Sequence, residues 1–343
     1  MKRLANTLYV TSSGSYLALD GENIVVRDED NEIGRIPLHN LDGIVSFGYR
    51  GMSPALMGAC AEKNIPVSFM TPQGRFLARV TGKVQGNVLL RKLQYQNSEN
   101  AERSCAIARN CILGKVYNAR WVLERAIRDH SMQIDSEKVR RVSIFLRNSL
   151  EEIRKCQDSA QLRGIEGEAA SLYFSVFNEF ILQQKADFQF TGRSRRPPLD
   201  YVNAMMSFTY SLLTEMVASA LECVGLDPYV GFLHTDRPGR MSLALDMMEE
   251  LRSVLADRFV LTLINRRIML KKDFTVKENG AVLMNDGARK KLLEEWQGKK
   301  REVITHPFLQ EKVEWGIVPF VQAMLLARYL REDLDEYPPL LWK

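Results

Sequence analysis

The spacing of apolar residues changes once along the chain, near residue 90, and that change restricts the folds open to it. Before it lie short β-branched and aromatic runs: Thr7–Thr11, Tyr16–Leu19, Ile24–Arg27, Ile33–Ile36, Gly43–Phe47, Val67–Met70 and Phe76–Val80. Runs of this kind, separated by turn residues, predict strands. Asp20-Gly21 marks one turn, the charged segment Arg27–Glu32 another, and Pro72-Gln73-Gly74 a third. A helix over Ser53–Lys63 interrupts them, with Ser53 as its cap and Pro54 where a missing N–H costs nothing. After residue 90 apolar residues recur at steps of three and four, the mark of a helix face. Ala108, Ile112, Val116, Ala119, Leu123 and Ala126 do so within Asn97–His130, and Val139, Val142, Leu146, Leu150 and Ile153 within Ser136–Cys156. Further helices are expected over Ala160–Gln184, Asp200–Val224, Ser242–Asn265 and Trp315–Leu334, with a hairpin over Phe274–Met284 turning at Asn279-Gly280. The fold class is therefore α+β: a small β-rich N-terminal domain over residues 1–90, then a larger, mainly α-helical C-terminal domain over residues 91–343.

With 343 residues, 45% hydrophobic and 26% charged, the chain has apolar material for a sizeable core and resembles neither a disordered nor a fibrous protein. Its first residues carry positive charge but not the apolar run of a signal peptide. Ala204–Gly225, the most apolar stretch, contains Glu215 and Glu222 and is expected to be a buried helix, not a membrane span. Five cysteines without CxxC spacing argue against disulfides and zinc, and place the chain in a reducing cytoplasm. A net charge of +5 does not by itself select a partner.

Two segments carry chemistry. In Gly164-Ile165-Glu166-Gly167-Glu168, two glycines flank an acid inside a helical pattern, where each costs roughly 1 kcal/mol against alanine. Something must approach that backbone closely, or the segment is a helix start whose acids the dipole favours. The second segment is His234-Thr235-Asp236-Arg237-Pro238-Gly239-Arg240, followed by a helix capped by Ser242. On that helix Asp246 and Glu249 share a face with Ser242, Ser253 and Asp257, which is either a site or a solvated polar stripe. One imidazole and two carboxylates offer mixed nitrogen and oxygen ligation suited to Mg²⁺ or Mn²⁺. An ion so held can polarise a phosphorus centre and acidify an attacking hydroxyl. No nucleophilic serine or cysteine arrangement and no GxxxxGK[ST] phosphate loop is present.

Basic residues gather at Lys138, Arg140, Arg141 and Arg147; at Arg193, Arg195 and Arg196; at Arg266, Arg267, Lys271 and Lys272; and from Arg289 to Arg301. Four such clusters beside an acidic site favour a nucleic-acid substrate. Phe188 and Phe190 either stack on exposed bases or are buried.

The segments RGIEGEAASLYF, RPPLDYVNAMMSFTYSLL, GFLHTDRPGRMSLALDMMEELR and THPF resemble the CRISPR-associated integrase and endonuclease family that captures new spacers. NTLYVTSSGSYLALDGENIVV, PLHNLDGIVSFG and PVSFMTPQGRFLARV are similar to it as well, so the likeness runs the length of the chain in order. The resemblance implies a homodimer joined through the β-rich domain and a catalytic site in the helical one. It implies a divalent metal held by Glu166, His234 and Glu249, with Asp246 as a supporting acid whose loss should be milder. Asn203 and Tyr210 would give structural support or DNA contact. Arg193, Arg195, Arg196, Arg240, Lys271 and Lys272 are the DNA-contact candidates. The implied reaction is attack by the 3′-hydroxyl ends of a short DNA duplex on phosphodiester bonds at the borders of a repeat. It would proceed with a small ferredoxin-like CRISPR-associated partner protein, on double-stranded DNA. A repair nuclease acting on branched DNA and a non-catalytic DNA-binding scaffold are the competing readings.

Overall fold

The structure, a computed structural model, describes residues 6–12, 14–29, 31–41, 43–63, 65–72, 76–80, 82 and 88–343. The first elements are β1 (Thr7–Val10), β2 (Ser15–Asp20), β3 (Asn23–Asp28), β4 (Asn31–Pro37), β5 (Gly43–Phe47), α1 (Pro54–Glu62), β6 (Val67–Met70) and β7 (Phe76–Val80). Strands β2, β3 and β4 form an antiparallel meander. Asp20 pairs with Asn23, and Gly21 supplies the positive φ (57°) that so tight a turn requires. The other sheet has the order β1-β5-β6-β7, parallel except for β7. Ser53 caps α1 by accepting from the Leu56 amide at 3.2 Å, and Pro54 opens the helix, as the sequence predicts. Gln73 and Gly74 of the expected third turn lie outside the described residues.

Alternation along β1, β5 and β6 separates two cores. Val10, Ile44 and Val67 pack with Leu17, Ile24, Leu38 and Leu56 beneath α1. Phe47 and Met70 instead join the helical core. That core is built from α2 (Val88–Glu99), α3 (Ala101–His130), α4 (Ser136–Lys155), α5 (Ser159–Ser175), α6 (Tyr201–Val224), α7 (Ser242–Leu251) and α8 (Arg258–Asn265). It is completed by the hairpin β8 (Phe274–Val276) and β9 (Val282–Met284), by α9 (Asp286–Arg301), by the hairpin β10 (Val303–Thr305) and β11 (Lys312–Glu314), and by α10 (Val318–Leu330). The predicted stripe of α4 is buried throughout, and that of α3 as far as Leu123.

Several boundaries differ from expectation for local reasons. Asn100 accepts from the Arg103 amide at 3.0 Å and so caps α3, dividing the expected Asn97–His130 helix from α2. The helix expected to reach Gln184 ends at Ser175, and Gln184 has a positive φ (58°). Ser242 is the first residue of α7, not its cap: its hydroxyl donates to the Thr235 carbonyl at 3.2 Å. A π-helical turn, Arg252–Asp257, separates α7 from α8.

The two parts of the chain are tied by buried charge. Arg79 lies 2.6 Å from Glu215 and 2.7 Å from Glu222, and the Ser68 hydroxyl donates to Glu215 at 3.0 Å. The Phe47 and Phe208 rings stack beside them at 5.6 Å. Glu215 and Glu222 thus belong to a packed helix, and among the described residues no helix is long and apolar enough to cross a membrane.

Candidate active site

Glu166 stands on α5, His234 on the loop before α7, and Glu249 on α7 itself. The fold brings all three to one cavity of about 310 Å³, whose walls also include Arg163, Leu233, Thr235, Arg237 and Arg240. A carboxylate and imidazole floor thus lies among three guanidinium groups.

Helix α5 begins at Asp158, whose side chain accepts from the Gln161 amide at 2.7 Å. Glu166 follows two turns later. Gly164 and Gly167 suggest a close neighbour when read in sequence, yet beyond the adjoining residues and the backbone of the helix itself no described atom lies within 4 Å of a Cβ built at either position. No packing within the chain calls for those glycines.

His234 is set by Asp246. Asp246 Oδ2 accepts from the Phe232 amide at 2.6 Å and the Leu233 amide at 3.0 Å. Its Oδ1 accepts from the His234 amide at 3.0 Å and lies 2.6 Å from His234 Nδ1. With a carboxylate as acceptor, Nδ1 carries the proton and Nε2 keeps its lone pair for a ligand. Gly231 lets the loop close over the acid, because a Cβ there would meet Ser242 Cβ at 2.7 Å and Asp246 Oδ2 at 2.9 Å. Asp246 is fully buried and outside the cavity wall, so its support is given through the loop and the ring.

Glu249 Oε1 lies 3.0 Å from Arg252 Nη2, and Oε2 lies 2.7 Å from Lys115 Nζ. Burial pushes its carboxyl up, but Arg252 and Lys115 outweigh that and hold it at about 2, well below the usual 4.5. Lys115, on α3, also pairs with Glu166 Oε1. The polar face of the Ser242 helix is not solvated: Ser242, Asp246, Glu249, Ser253 and Asp257 are 0–4% exposed.

Behind Glu249, the guanidinium groups of Arg252 and Arg193 lie over the Tyr210 ring at 4.8 and 4.9 Å. The Tyr210 hydroxyl donates to Asp257 Oδ1 at 2.5 Å. Asn203 Oδ1 accepts from Arg193 at 2.5 Å, and its Nδ2 donates to the Gly192 carbonyl at 2.7 Å. Of the two roles open to Asn203 and Tyr210, the geometry fits support. Arg193 is drawn into the same network, leaving Arg195 and Arg196 as the exposed cations of that loop. Phe188 and Phe190 are buried, which closes the base-stacking alternative. Lys271 and Lys272 are exposed, with Lys271 paired to Asp187 at 3.1 Å. Lys300, from the last basic cluster, is buried and donates to Thr7 Oγ1 at 2.8 Å.

Sequence reasoning missed Lys115, Arg163 and Arg252. The two arginines carried a usable signal, since each stands three residues from a site glutamate, Arg163 on the same helix as Glu166 and Arg252 in the π-helical turn that continues from Glu249. Lys115 carried none, because both its partners lie on other elements.

The donor set suits a hard divalent cation. Glu249 Oε2 is buried without an aligned hydrogen bond, despite its charge contact with Lys115. As they stand, no three His, Cys, Asp or Glu side chains among the described residues are gathered tightly enough to hold an ion.

A family model described as CRISPR associated protein Cas1 matches residues 8–298. The chain is 50% identical over 343 residues to CRISPR-associated endonuclease Cas1 1 of Chlorobaculum tepidum, covering 100% of both. It is 52% identical over 347 residues to CRISPR-associated endonuclease Cas1 2 of Rhodospirillum rubrum, again covering 100% of both. A solved casposase bound to integration product shares the fold, with a TM-score of 0.83 and 24% identity over 98% of this chain and 94% of that one.

Proposed function

The chain belongs to the family of the CRISPR-associated protein Cas1, and from that premise we propose that it inserts short DNA duplexes into a CRISPR array by attack of their 3′-hydroxyl ends on phosphodiester bonds. The observation that carries this reading is the single cavity that gathers Glu166, His234 and Glu249 among Arg163, Arg237 and Arg240.

Glu166, His234 and Glu249 would hold Mg²⁺ or Mn²⁺. Such an ion, when bound, supplies charge neutralisation at the phosphate and acidifies the attacking hydroxyl. Asp246 keeps the His234 ring in one tautomer and one orientation. Arg163, Arg237 and Arg240 bind and align phosphate oxygens, which brings nucleophile and target together. Among the described residues the one side-chain hydroxyl in the cavity wall is that of Thr235, and the reading assigns the attack to a 3′-hydroxyl of the incoming DNA. Arg195, Arg196, Lys271 and Lys272 extend the contact along the backbone of double-stranded DNA. The reading includes a homodimer joined through residues 1–90, a catalytic helical domain over 91–343, and assembly with a small ferredoxin-like CRISPR-associated partner.

The experiment is a joining assay on a supercoiled plasmid carrying a repeat, with the partner protein and Mn²⁺ or Mg²⁺ present. Duplexes with 3′-hydroxyl ends should join, and dideoxy-terminated ones should bind equally well and fail to join. Glu166→Ala and His234→Ala should abolish joining while leaving DNA binding intact. Dideoxy ends that join, or a protein–DNA adduct surviving denaturation, would refute the mechanism. Cleavage of the plasmid without joining would leave only a nuclease.

A further inference from the structure

Lys115 occupies a position that general features of the chain do not explain. It stands within α3, whose neighbouring positions Ile112, Val116 and Ala119 are core residues, and its side chain is only 13% exposed. A buried lysine of this kind requires paired charge. Its ammonium contacts Glu166 Oε1 and, at 2.7 Å, Glu249 Oε2. The cation that joins these two carboxylates is therefore part of the chain.

A divalent ion shared by Glu166 and Glu249 would need oxygen contacts of about 2.0–2.2 Å, shorter than those of an ammonium. The same space between the two carboxylates cannot hold both. We propose that Lys115 is the resident counter-ion of this site. It fixes Glu166 and Glu249 in the metal-free protein and is displaced when a divalent cation enters. The proposal rests on the metal reading above.

Displacement needs the ammonium only to swing off the two carboxylates on its own stem. A flexible four-carbon stem can make that movement, whereas a planar guanidinium bound to two carboxylates cannot leave as readily. Arg252 remains on Glu249 Oε1 throughout, so the acid keeps its orientation.

The test uses the full chain without DNA. Wild type, Lys115→Met and Lys115→Arg are titrated with Mn²⁺ by calorimetry or electron paramagnetic resonance, and melted in EDTA and in Mn²⁺. Lys115→Met should melt lower than wild type in EDTA, gain more from Mn²⁺, and bind Mn²⁺ about tenfold more tightly, because neither carboxylate has to be freed from the ammonium. Lys115→Arg should keep its metal-free stability and bind Mn²⁺ more weakly than wild type. Lys115→Met binding Mn²⁺ no more tightly than wild type would overturn the proposal. Should that variant not fold, Lys115→Arg decides: binding as tight as wild type overturns it, weaker binding supports it. Wild type that binds no Mn²⁺ would defeat the metal reading itself, and the proposal with it.

Discussion

Asp246 Oδ1 lies 2.6 Å from His234 Nδ1 and also accepts from the His234 backbone amide at 3.0 Å, so one oxygen fixes both the ring and the residue that bears it. The family resemblance marks Asp246 as a supporting acid whose loss should be milder than that of a ligand. The structure makes it the anchor of the Phe232–His234 loop, because Oδ2 satisfies two more buried amides.

Asp246→Ala should accordingly be as damaging as loss of a ligand. Three amides lose their acceptor, which costs at least about 3 kcal/mol in total. Divalent-metal affinity should fall about 10–100-fold as His234 loses its orientation. Urea unfolding in EDTA and a Mn²⁺ titration read the two effects separately. A variant with wild-type stability would show that the loop holds itself.

A second prediction concerns Asp257. Burial pushes its carboxyl up to about 6, against the usual 3.8, although Tyr210, Arg252 and Arg193 pull it down. Its folded pKa is raised, so the unfolded chain releases the proton first. The associated stability is present below pH 3.8 and is lost as pH rises through about 6. Asp257→Asn should remove roughly 3 kcal/mol of that decline between pH 4 and pH 7. Unfolding free energies of the two proteins across this window should converge in slope elsewhere; parallel curves throughout would mean that Asp257 ionises normally.

The loop before α6 provides a third. Arg195 and Arg196 are exposed, and neutralising both should weaken DNA binding and reduce the slope of log affinity against log salt by roughly 0.7–0.9 per phosphate contact. Arg193→Ala should act differently, lowering the melting temperature through loss of the Asn203 and Tyr210 contacts. A salt slope that falls for Arg193→Ala but not for the Arg195/Arg196 pair would reverse these assignments.

Much of this arrangement is legible in the amino-acid sequence. Ser53 and Pro54 announce α1, Asn279-Gly280 places the β8–β9 turn, and the period change near residue 90 locates the passage from strands to helices. Glu166, His234 and Glu249 are marked by the family resemblance, and the fold brings them to one cavity. What stays hidden depends on contacts between distant elements. Periodicity shows that Ser242, Asp246, Glu249, Ser253 and Asp257 share a face, but not that other helices cover it. Arg193 reads as one of three loop cations, and only the folded chain sets the Tyr210 ring beneath it. Lys300 likewise reads as part of a basic run, whereas folding carries it against Thr7, at the opposite end of the chain.

The pairing of Arg79 with Glu215 and Glu222 bears on how such chains can recombine. Arg79 and Glu215 side chains are each 6% exposed, so neither charge tolerates the loss of the other. A chimera joined near residue 90 would inherit Arg79 from one parent and the glutamates from the second. It would fold only where both parents carry the same charge pattern. The point at which the sequence changes character is therefore a poor crossover point, and exchange among relatives should favour breakpoints that keep residue 79 and residues 215–222 in common descent.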